Sequence, residues 1–91
     1  MNQREIEEIQ KRWAPRGFHG GVWIDPPGQV WKDYRHDTEE LFLVLEGEVE
    51  LEMKGRKFRP KIGEEILIPA GVLHTVRNVG DRTSRWLYAY Q

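Results

Sequence analysis

The sequence predicts a small all-β domain, an antiparallel jelly-roll β-barrel preceded by a short N-terminal α-helix. Two observations carry this. The apolar rhythm changes from helical spacing to a period of two after residue 20. Beyond that point short strand-like runs recur at regular spacing, each bounded by Gly or Pro. With 91 residues there is room for one domain with one modest core, over residues 1–91, the helix at about 3–14 and the barrel at about 20–91.

In the first segment Ile6, Ile9 and Trp13 fall on one helical face, and Asn2 with Glu5 reads as a capping box. Glu7 and Lys11 have the spacing of an ion pair, and Pro15 with Gly17 ends the helix. A strand is expected over Val22–Ile24, closed by the turn Asp25-Pro26-Pro27-Gly28. From Val30 to His36, the residues Val30, Lys32, Tyr34 and His36 share one face of an extended chain. Leu41 to Leu45 is apolar at every position, the mark of a strand buried on both faces. Val49, Leu51 and Met53 then alternate with Glu48, Glu50 and Glu52, a strand whose acidic face is expected in water. Lys54-Gly55 predicts a hairpin into Arg56–Phe58. Strands follow at Ile66–Ile68, Val72–Val79 and Arg85–Tyr90, the last with Trp86, Tyr88 and Tyr90 on one side. The four tryptophans Trp13, Trp23, Trp31 and Trp86 are many for this length; core filling is the simpler role, a cavity wall or subunit contact the sharper one.

Composition excludes several classes of function. The net charge of -1 leaves no clustered basic excess for nucleic acid or an acidic membrane surface. There is no cysteine, hence no disulfide, thiolate metal site or cysteine nucleophile. The longest apolar run is far too short for a bilayer, and the polar, acidic N-terminus does not resemble an export signal, so a cytoplasmic protein is expected. Gly20-Gly21 lacks the residues of a phosphate loop, and the single serine, Ser84, has no nucleophile-elbow context. The edges of so small a barrel need cover, which predicts a homodimer.

The chemistry lies in two histidine-centred stretches. Tyr34, His36 and Glu40 have one parity and can point to one face, and His74 can be brought alongside from another strand. Two imidazoles and a carboxylate with positions left open form the facial arrangement that binds iron, and equally suit manganese, nickel, cobalt or zinc. Glu39 competes with Glu40 as the inward carboxylate, and His19, outside both stretches, is expected in a loop.

The same residues resemble the two motifs of the cupin superfamily. Gly28, His36, Glu40 and Gly47 match the first motif at every spacing, with Tyr34 where its first histidine belongs; Gly63, Pro69, Gly71, His74 and Asn78 match the second completely. The resemblance covers residues 28–78 and implies a divalent metal at His36, Glu40 and His74. Tyr34 then becomes a fourth ligand, a hydrogen-bond partner of metal-bound water, or a filler of the vacated position. A phenol with an ordinary pKa near 10 is a poor ligand, which favours the second of these. Asn78 is expected to be a strand-end hydrogen-bonder.

Cupins of this pattern include dioxygenases, isomerases, decarboxylases and lyases of small molecules, and small cupins usually pair as dimers. The resemblance therefore implies a metal-dependent enzyme, of dioxygenase or isomerase type, acting on a small molecule. Phe42, Trp31, Trp86 and Tyr88 are the candidate substrate wall. The alternatives are a small-ligand or metal-binding cupin without turnover, and a metal-free cupin in which the motifs serve only the fold.

Overall fold

The computed structural model describes residues 1–91. Helix α1 (Gln3–Trp13) is capped at Asn2, whose side chain accepts from the Glu5 backbone while the Glu5 carboxylate accepts from the Asn2 backbone. The helix is one residue shorter than expected, because Ala14–Arg16 tightens into a 3-10 turn that ends at Gly17. The ion pair on its surface is Arg4–Glu8, at 4.0 Å, while Glu7 accepts from Gln3 instead of pairing with Lys11.

Eight strands follow: β1 (His19–Asp25), β2 (Val30–Tyr34), β3 (Glu40–Glu46), β4 (Val49–Met53), β5 (Arg56–Phe58), β6 (Ile66–Ile68), β7 (His74–Asn78) and β8 (Ser84–Tyr90). They form two four-stranded antiparallel sheets, β1-β8-β3-β6 and β2-β7-β4-β5, packed face to face as a jelly roll whose sheets do not close into one continuous barrel. Strand β1 is longer than Val22–Ile24 because all seven of its residues pair with β8, which takes His19 out of a loop and into the strand.

The central pair β3–β8 explains the uninterrupted apolar run. Leu41, Leu43 and Leu45, with Leu87 and Ala89, turn to one side and pack under Ile6, Ile9 and Trp13 of the helix. Phe42 and Val44, with Trp86, turn to the other side and meet Val49, Leu51 and Val76 of the second sheet. Burying each of the five β3 side chains stabilises the fold by roughly 1.5–3 kcal/mol, so this strand has core on both faces. Trp13 also donates to Glu65 at 2.8 Å, and Arg16 grips the same carboxylate, which clamps the helix end to the segment before β6.

The turns follow the residues that make them. Lys54 and Gly55 have φ of 54° and 73°, the left-handed pair a two-residue hairpin requires. Gly47 follows β3 with φ 87°, and a Cβ there would lie 3.0 Å from Ser84 Cα, so a larger residue would be both strained and crowded. Asn78 is buried and donates to the carbonyls of Asp25, Pro26 and Arg82 while accepting from Gly80, tying the β1–β2 turn to the end of β7. The acidic stripe of β4 is not simply a solvated face. Arg77 lies across from it on β7 and bridges Glu52 at 2.7 Å and Glu50 at 3.3 Å. No helix is long and apolar enough to cross a membrane.

Candidate metal centre

Glu40 opens β3 on the same side as Phe42 and Val44, so its carboxylate points between the sheets, where only 3% of the residue is exposed. His74 opens β7 and is equally buried. Glu39, its competitor, leaves its backbone carbonyl to accept from Gln91 and lies outside the cluster. His36 arrives by a different route from the one its parity predicts. Strand β2 breaks its register between Trp31 and Tyr34, Asp33 takes a positive φ of 57°, and the strand ends at Tyr34. His36 therefore sits in the loop before β3, with its carbonyl held by the Gly71 N–H at 2.8 Å. Gly71 can present that N–H from a left-handed conformation, φ 77°, which glycine adopts without strain.

One ligand atom from each of His36, Glu40 and His74 lies within 4.8 Å of the others. Glu40 Oε1 is 3.3 Å from His36 Nε2 and 3.6 Å from His74 Nε2. That oxygen is buried and has no hydrogen-bond partner, a costly condition for a carboxylate unless something further binds it. Burial alone pushes the Glu40 carboxyl up to about 7. Burial, and then the neighbouring His74, hold His36 below the usual imidazole range, with Asp37 opposing them. His74 Nδ1 lies 3.0 Å from the Val72 carbonyl; as a donor there it leaves the Nε2 lone pair facing the centre of the triad. The donor set and the unsatisfied oxygen fit a divalent cation of the transition series.

The phenol within reach of the triad is that of Tyr90. Tyr90, at the end of β8, places its hydroxyl 3.5 Å from His36 Nε2, and burial, then the charges of Glu40 and Tyr88, push its pKa up to about 12. Tyr34 is the register partner of His74, yet it is 43% exposed and stands edge-on to Trp31 with no hydrogen bond to the triad. The triad forms one wall of a cavity of about 210 Å³, and Trp23, Trp31, Tyr34, Trp86, Tyr88 and Tyr90 line most of the rest. Of the expected wall residues, Trp31, Trp86 and Tyr88 face the cavity. Phe42 does not: it is fully buried behind Trp86, ring centroids 5.0 Å apart. Tyr90 was legible as the third member of the Trp86-Tyr88-Tyr90 alternation and Trp23 as one of the four tryptophans, whereas Asp25 read only as a turn residue.

Residues 21–90 match the family model described as the cupin domain. The chain belongs to the cupin family. This cupin is 31% identical over 75 residues to the polyketide synthase CurC of Streptomyces cyaneus, covering 82% of this chain and 49% of that protein. It is 30% identical over 66 residues to the 5-nitrosalicylic acid 1,2-dioxygenase of a Bradyrhizobium species, covering 72% of this chain and 32% of the enzyme. Among solved structures it superposes on the cupin domain of Cnp3 from Schizosaccharomyces pombe with a TM-score of 0.74 at 24% identity, over 80% of this chain and 54% of that one. This cupin spans about half or less of the length of the curated relatives it matches.

Proposed function

We propose that this cupin holds one divalent transition metal at His36, Glu40 and His74 and acts on a small molecule in the adjoining cavity, as an enzyme of dioxygenase or isomerase type. The buried, unpartnered Glu40 oxygen facing two imidazole nitrogens carries the reading. A relative named as a dioxygenase supports the reaction class. When bound, iron, manganese, nickel, cobalt or zinc supplies Lewis acidity and open coordination positions. The chain supplies the rest. Glu40 must lose its proton to bind, and its negative charge offsets part of the cation's. Val72 fixes the ring of His74, and the aromatic walls offer a largely apolar surface beside the triad. Tyr90, neutral at any physiological pH, can donate a hydrogen bond to an oxygen bound beside His36.

A second reading, a binding protein without turnover, is favoured by one observation. Beyond the triad, the cavity lining offers no carboxylate, histidine or lysine to act as an additional acid or base. Two finer points belong to the same proposal. The exposed edge strand β1, with Ile24 62% exposed, suits a homodimer, checked by light scattering. A cytoplasmic location is checked by cell fractionation.

The deciding experiment titrates metal-free protein with manganese, iron, cobalt and zinc. About one equivalent per chain is expected, with affinity reduced roughly 100-fold or more in His74→Ala. Because Glu40 titrates near 7 without metal, affinity should fall as pH drops through that value. No uptake, or equal uptake by the variant, would remove the metal reading. Oxygen-consumption and isomerisation screens of the loaded protein then separate enzyme from binding module.

A further inference from the structure

The wall of the cavity away from the triad is organised by a residue with no part in metal binding. Asp25 closes β1 with 2% of its surface exposed, and it takes part in no ion pair. Its carboxylate accepts instead from three indoles. Trp23 Nε1 donates to Oδ1 at 2.9 Å, Trp31 Nε1 donates at 3.0 Å to Oδ1 and 3.1 Å to Oδ2, and Trp86 Nε1 donates to Oδ2 at 3.1 Å. These indoles come from β1, β2 and β8, and all three line the cavity. Each has its N–H edge turned to Asp25, so what it offers the cavity is carbon, either a ring face or the benzo edge. Tyr88 stands nearly perpendicular to two of them, at 6.1 Å from Trp23 and 6.2 Å from Trp86, and makes a corner.

One buried formal charge, that of Asp25, lies behind this corner. Indole N–H groups hydrogen-bond the Asp25 charge but do not neutralise it, and their donation pushes electron density back onto the ring faces, whose quadrupole is already negative. No lysine or arginine lines the cavity. A neutral apolar group would fill the space and leave that charge unanswered. A primary ammonium in this corner would need free acceptors beside it, and the Asp25 oxygens are already engaged by the indoles, while the free Glu40 oxygen belongs to the triad. The complementary group is a cation that carries no N–H of its own. The geometry points to a subsite for a compact organic cation of the quaternary-ammonium type, formed by Trp23, Trp31, Trp86 and Tyr88 and positioned by Asp25. It rests on the reading of this cavity as the substrate pocket and not on the presence of metal.

The test compares two isosteres, choline and its uncharged analogue 3,3-dimethylbutan-1-ol, on metal-free, nitrogen-15-labelled protein at constant ionic strength. The indole N–H signals of Trp23, Trp31 and Trp86 report binding, and Trp13, held by Glu65 outside the cavity, serves as the internal control. Choline should give saturable shifts confined to the three cavity indoles and bind at least about fivefold tighter than the alcohol. Asp25→Asn should cut that preference to about twofold or less while the alcohol binds as before. Should Asp25→Asn fail to fold, Trp23→Leu, at the most exposed indole, must lower the preference instead. Equal affinities, no response to choline, or a preference unchanged in the folded variant would each overturn the proposal. Since the protein is stripped of metal, failure here leaves the metal reading standing, and failure of metal uptake leaves this result standing.

Discussion

The two faces of the β3–β8 pair use one pair of strands for opposite ends. On the helix side Leu41, Leu43, Leu45, Leu87 and Ala89 meet Ile6, Ile9 and Trp13 in an apolar layer. On the inter-sheet side the same strands carry Glu40, Trp86, Tyr88 and Tyr90, which join His36 and His74 around a cavity. The helix side stabilises, and the inter-sheet side gives up packing and buries a carboxylate for the sake of a site. Alternation along a strand keeps the two jobs separate, since neighbouring residues point apart. A small cupin can therefore tolerate a costly site because the reverse face of the same strands is all core.

Substitutions on each face should break this comparison in different ways. The largest loss of stability is expected from Leu43→Ala, about 3 kcal/mol by urea denaturation, because the side chain is buried under the helix and its removal leaves a cavity. Metal affinity per folded chain should stay within about twofold. A large change in affinity would show that the two faces are coupled.

Next comes Glu40→Gln, with the opposite sign. The folded protein holds the Glu40 proton up to about 7 against an ordinary 4.5, so the folded state binds more protons than the unfolded one between those values. Metal-free wild type should thus lose stability as pH rises across that window, by about 3 kcal/mol in all, and stay level above it. The lowered His36 works the other way below 6.5 and trims the slope. Glu40→Gln should abolish the fall, be more stable than wild type at pH 8, and bind no metal. Identical pH profiles of urea midpoints for variant and wild type would contradict this account.

Trp13→Phe removes the donor to the Glu65 carboxylate and should cost about 2 kcal/mol without disturbing the cavity, as read by the indole signals of Trp23, Trp31 and Trp86. The smallest effect is expected from Tyr34→Phe. Its phenol bonds to none of the triad, so metal affinity measured by titration should stay within about twofold and stability within ~0.5 kcal/mol.

Much of this was legible in the residues alone. The capping box at Asn2 and Glu5, the Lys54-Gly55 hairpin and the doubly buried run Leu41–Leu45 are local features, and local sterics and periodicity determine them. The spacing of glycines, proline and histidines around Glu40 and His74 marked the family and the candidate ligands. What lay beyond reach was anything decided by which strands meet. His36 joins Glu40 through a loop set by the β2 register break and the Gly71 N–H, not through the shared parity of an extended strand. The phenol beside it belongs to Tyr90, 54 residues away in sequence, and not to Tyr34. Asp25 reads as a turn residue until β1, β2 and β8 bring three indoles to it across separations of 2, 6 and 61 residues. Sequence by itself determined the elements and the chemistry available to this protein, because propensity and patterning act over a few residues. Only the tertiary structure decided which groups face one another, because strand pairing sets contacts that no local pattern encodes.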